Sequence, residues 1–78
     1  MIAIDKNPNR IDTMKRITIR AREQADICAQ SGGAMSYVRE WQPAADDYVC
    51  LVECEDEQLD YVVEFLELHK DVSEYRIN

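Results

Sequence analysis

Residues 15–21 read Lys-Arg-Ile-Thr-Ile-Arg-Ala, and the fold depends on whether this stretch is helix or strand. Taken alone it alternates and is rich in β-branched residues, which favours a strand. Taken in a longer frame, Ile11, Met14, Ile17, Ala21, Ala25 and Cys28 recur at helical spacing. That frame opens on Asn7-Pro8, a good helix start, and closes on Ser31-Gly32-Gly33, where a left-handed residue can end a helix. The longer frame is the preferred reading: a long first helix, preceded by a strand over residues 1–5. In the rival reading residues 15–21 form the first strand and the helix shrinks to about residues 22–30.

Downstream the two readings agree. Residues 34–41 suit a strand, Gln42-Pro43-Ala44-Ala45-Asp46-Asp47 suits a turn, and residues 48–54, with Tyr48, Val49, Cys50, Leu51 and Val52, suit a second strand. The short connection favours an antiparallel hairpin. A helix over residues 56–71 follows. Glu55, Asp56 and Glu57 lie at its start and His69 and Lys70 near its end, the charge order that complements the helix dipole. Residues 74–78 offer a last strand, with Tyr75 and Ile77 on one side. The expected fold class is α+β: a single domain over residues 1–78 with four antiparallel strands and two helices on one face. The βαββαβ order resembles the ferredoxin-like split βαβ plan. Domains of that plan bind RNA, metals or amino acids or serve only as structure, so the resemblance assigns no function.

Composition narrows the classes. The chain has 78 residues, nine Lys plus Arg and sixteen Asp plus Glu, for a net charge of −7. A domain of this size buries only about 60% of the surface its unfolded chain exposes, so a partner subunit would add stability. Residues 1–39 carry seven bases and four acids, and residues 40–78 carry two bases and twelve acids. An acidic second half repels phosphate, which argues against direct nucleic-acid binding and against anionic membranes. No stretch approaches the roughly 20 apolar residues of a membrane span, and residues 1–5 are broken by charge too early for a signal peptide. A cytoplasmic protein with reduced Cys28, Cys50 and Cys54 is expected.

The acidic half is organised. At 100° per residue Asp56, Glu57, Asp60, Glu64, Glu67 and Asp71 fall within about a 100° arc of one helix. Like charges at these spacings each cost about 0.2 to 0.5 kcal/mol in an isolated helix. Either the face is simply solvated, eased by Lys15, Arg16, Arg20 and Arg22 on the neighbouring element, or a basic partner relieves the repulsion. Carboxylates one turn apart stand about 6 Å apart along the axis, of the order of the spacing between successive phosphates. Such an arc can occupy a cationic groove built for a nucleic acid. Beside it Leu59, Val62, Val63 and Leu66 make the stripe expected on the sheet, while Tyr61, Phe65 and Leu68 widen the apolar arc to roughly 220°. The first helix is expected to cover that flank; if it does not, Tyr61, Phe65 and Leu68 become partner-binding residues.

Met35, Tyr37, Arg39 and Trp41 share one face of the first hairpin strand if it is regular, and Tyr48, Cys50, Val52 and Cys54 one face of the second. Tyr37, Trp41 and Tyr48 are therefore a candidate dimer face through the sheet, with core packing as the alternative. An RNA-stacking platform would look similar, but only Arg39 lies nearby to meet phosphate.

Catalytic chemistry finds no constellation. His69 is the lone histidine, placed where it complements a helix C-terminus. Cys50 and Cys54 on one strand stand about 13 Å apart, too far for a disulfide or a shared zinc. The acidic segment lacks the glycine of a calcium loop, and no phosphate-binding glycine motif occurs. Neither metal nor cofactor is expected, and no catalytic residue is assigned. The expectation is a non-enzymatic protein-binding module that uses Asp56, Glu57, Asp60, Glu64, Glu67 and Asp71 with Tyr61, Phe65 and Leu68. It would act as an inhibitor or regulator on a basic nucleic-acid-binding surface, as small viral or mobile-element proteins do. The alternative is a dimeric small-ligand-sensing regulatory domain.

Overall fold

A computed structural model describes residues 13–78. In chain order the elements are β1 (Met14–Ala21), α1 (Ile27–Gln30), β2 (Met35–Ala44), β3 (Asp47–Glu55), a 3-10 turn (Asp56–Gln58), α2 (Leu59–Leu68) and β4 (Val72–Ile77). The strands form one antiparallel sheet in the order β2-β3-β1-β4.

The long first helix is overturned over residues 14–21, which are β1, and among the described residues the helix here is the single turn α1. The first-strand expectation at residues 1–5 lies outside the described residues. Burial decides the matter: Ile17, Ile19 and Ala21 are fully buried, with period two, and stand opposite Val52, Cys50 and Tyr48 of β3. A central strand has neighbours on both sides, so its backbone groups are satisfied by pairing. Burying each isoleucine is worth about 1.5 to 3 kcal/mol, which outweighs local helix preference.

The turn α1 begins at Asp26, whose carboxylate accepts from the Ala29 amide at 3.4 Å. It stops at Gly32 and Gly33, which adopt φ of 76° and 86°. Buried Ser31 donates to the Cys28 carbonyl at 2.7 Å, so its hydroxyl is satisfied inside.

The hairpin forms as expected but β2 is irregular. Register shifts fall between Tyr37 and Arg39 and between Arg39 and Gln42. Val38 is the extra residue in the first, and Glu40 and Trp41 fall together in the second. Tyr37 stands opposite Val52 on the helix side, whereas Arg39 stands opposite Leu51 on the other face. The expected shared face of Met35, Tyr37, Arg39 and Trp41 is therefore broken at Arg39. Tyr37 and Trp41 pack on the core, and both donate to the Ala25 carbonyl, at 3.2 Å and 2.7 Å. Tyr48, opposite the buried Ala21, is half-buried on the same side. These three aromatics lie on the helix side of the sheet, off the open face, which carries Arg16, Thr18, Arg20, Arg39, Val49, Leu51 and Glu53 instead.

The core is Ile17, Ile19, Ile27, Met35, Cys50, Val52, Cys54, Val62 and Leu66. Helix α2 contributes Val62 and Leu66, one turn apart. No helix among the described residues is long and apolar enough to cross a membrane.

Candidate functional site

Helix α2 is held on both flanks, and the partners show which flank faces where. On one side the Tyr61 hydroxyl donates to the Ser31 carbonyl at 3.3 Å, so that flank faces the glycine turn. On the other, Glu67 accepts from the Tyr75 hydroxyl at 2.7 Å, so the acidic flank faces β4. This hydrogen bond to Glu67 pushes the Tyr75 phenol above its ordinary range, because ionisation would set a phenolate against a carboxylate.

The six carboxylates are not one helix. Asp56 and Glu57 sit on the 3-10 turn, Asp60, Glu64 and Glu67 on α2, and Asp71 beyond its end. Asp56 is tied through its amide to the Thr13 carbonyl, and the Asp71 carbonyl accepts from the Arg22 amide at 2.9 Å. All but the half-buried Asp71 are exposed.

Arg16 and Arg20 do not neutralise them. Arg16 pairs with Glu53 at 3.7 Å, and Arg20 with Asp47 at 3.2 Å and Glu74 at 3.6 Å. These residues occupy the sheet face away from α2. Among the described residues no ion pair engages a stripe carboxylate, and Lys15 and Arg22 enter none.

The apolar flank is less covered than a long first helix would leave it. Tyr61 is 49% exposed and Leu68 is 78% exposed, because the single turn α1 is too short to lie along α2. Phe65 packs against the core and meets His69 edge to face, with ring centroids 5.5 Å apart. His69 is fixed in a structural role: its Nδ1 accepts from the Asp71 amide at 3.1 Å and its Nε2 faces the Gln30 side-chain oxygen at 2.7 Å. With Nδ1 accepting, the proton is on Nε2 and donates to Gln30.

Cys50 and Cys54 are buried in the core, and Cys28 is half-buried against it. Burial pushes Cys28 up to about 11 and Cys50 up to about 12, and it raises Cys54 as well. Among the described residues no three His, Cys, Asp or Glu side chains come together as a metal-ligand set. A shallow cleft lies between residues 31–34 and the side chains of Glu55, Gln58 and Tyr61.

The last strand was expected near its observed place in the chain, but its neighbours in space were not. The edge of β4 lies beside the acidic flank, and only the sheet order reveals it. The chain matches no protein-family model, no curated protein and no solved structure.

Proposed function

We propose that this chain is a non-enzymatic protein-binding module of ferredoxin-like, split βαβ plan, acting in the cytoplasm on a basic partner surface. The acidic flank of α2, with Asp60, Glu64 and Glu67, is the recognition element, and Tyr61 and Leu68 add apolar contact at its far margin. One observation carries this reading: the three carboxylates are exposed, Arg16 and Arg20 pair instead on the opposite face of the sheet, and among the described residues no ion pair reaches Asp60, Glu64 or Glu67. A like-charged row without counter-ions costs stability in the free chain. A cationic partner removes that cost on binding and gains on-rate from the field. The partner class that fits is a protein with a nucleic-acid-binding groove, which the chain would inhibit by occupying it.

The test is charge reversal. D60K/E64K/E67K is expected to abolish capture of the partner from cell extract while urea unfolding stays cooperative. DNA added to the wild-type complex is expected to displace the chain. Undiminished capture by the folded triple variant would falsify the proposal.

A small-ligand regulatory domain, dimeric in solution, is the second reading, favoured by the cleft beside residues 31–34. A thermal-shift screen of amino acids and nucleotides tests it, and a flat screen removes it.

A further inference from the structure

We infer that the outer edge of β4 is the line on which the basic partner docks, taking an extended basic segment as a fifth strand beneath the carboxylates of α2. This rests on the proposed function and specifies how the partner is held.

The ladder phase is fixed by the Asn78 amide, which donates to the Arg16 carbonyl at 2.8 Å, with Arg76 opposite Thr18 and Ile77 opposite Ile17. Hydrogen-bonded pairs alternate along an antiparallel ladder. The backbone groups of Asn78 and Arg76 therefore turn toward β1, and those of Tyr75 and Ile77 turn outward. Among the described residues no strand pairs with them.

The two sheet edges are not equivalent. At the other edge, β2 is twice shifted in register and contains Pro43, which has no N–H to give; both features blunt an edge. Strand β4 has no proline or lysine, and its one irregularity lies at its start, where the register shifts between Arg20 and Ala21. Ile77, 42% exposed, offers an apolar contact at that edge.

Charge selects the occupant. The Tyr75 to Glu67 hydrogen bond places the acidic flank of α2 over β4. A second copy pairing here would bring its own acidic flank against this one, with like charges opposed. A strand with lysine or arginine at alternate positions would instead place its cations under Asp60, Glu64 and Glu67 while its backbone meets Tyr75 and Ile77.

The experiment uses the full chain and a capped peptide of alternating lysine and valine. Three comparisons accompany it: the same peptide N-methylated on alternate residues, a helical peptide of equal charge, and the E64K/E67K variant. The alternating peptide is expected to bind and to slow hydrogen exchange at the Tyr75 and Ile77 amides. Removing the donors by N-methylation is expected to weaken binding about tenfold, since only the lost main-chain bonds differ. Equal binding of all three peptides with no new protection at Tyr75 and Ile77 would overturn the edge and leave the acidic flank standing. Absence of binding by any of them at low salt would sink both readings. Slow exchange at those amides in the chain alone would show the edge already paired, by this chain or a second copy, and would also overturn the inference.

Discussion

Tyr75 reaches across the seam between β4 and α2 and donates its phenolic proton to Glu67 at 2.7 Å. The bond ties the last strand to the helix that carries the acidic flank, and it has a titration signature. The neutral phenol is the donor, so the folded protein holds this proton above the ordinary tyrosine value of 10.0. The associated stability is present below that value and is lost as pH rises through the raised one. E67Q is expected to return one tyrosine to ordinary titration, followed by ultraviolet phenolate absorbance. An unchanged curve in E67Q would mean that the two groups do not meet in solution.

Trp41 and Tyr37 converge on the Ala25 carbonyl, and this shared acceptor makes their energies interdependent. W41F keeps most of the ring and loses the indole donor, at a cost of about 0.5 to 1.5 kcal/mol; Y37F loses the weaker, longer bond. Each single variant leaves the carbonyl one partner. The double variant leaves it with neither donor, so its loss is expected to exceed the sum of the two. A double-mutant cycle by urea unfolding measures this, and strict additivity would show that water takes the vacated place.

Why β1 reads ambiguously is clear from three of its residues. Ile17 and Ala21 are four apart, which is about one helical turn and also two pleats of a strand, so both periods place them together. Only Ile19 discriminates. On a helix it would point away from that pair, and in the sheet it is buried between them. The hairpin was legible from its turn and α2 from its apolar period, but their details were not: β2 shifts register twice, and the acidic start expected of the helix is a 3-10 turn ahead of Leu59–Leu68. Charge compensation was not legible, because it depends on which face of β1 carries the arginines. Arg16 and Arg20 alternate with the buried residues and so fall on the sheet face opposite α2. The edge of β4 was invisible for a related reason, since strand order is set by packing and not by any local signal.

Gly32 and Gly33 let the chain pass from α1 into β2, and substitution there isolates a backbone effect. A methyl group at either position would meet nothing within 4 Å, so the cost of G33A comes from its φ of 86° alone. About 1 to 2 kcal/mol is expected for forcing a side-chain residue into left-handed backbone. The urea midpoint should fall in G33A with the slope unchanged. A neutral result would show that the turn relaxes to negative φ.

Cys50, buried at the centre of the sheet beside Cys28, makes alkaline stability the sharpest test of the core. Its thiol is pushed from 9.0 up to about 12, first by burial and then by Cys28, which itself stands at about 11. A folded-state value raised above the unfolded one gives stability that is complete below about pH 9, the unfolded thiol value, and is lost as pH rises toward 12. C50A is expected to lower stability at neutral pH by removing packed volume, yet to flatten the decline between those limits. Unfolding in urea at stepped pH compares the two slopes directly. At neutral pH the native thiols should resist maleimide and react fully once urea unfolds the chain. Rapid labelling of native Cys50 would contradict its burial, and parallel alkaline declines in wild type and C50A would remove the thiol as their cause.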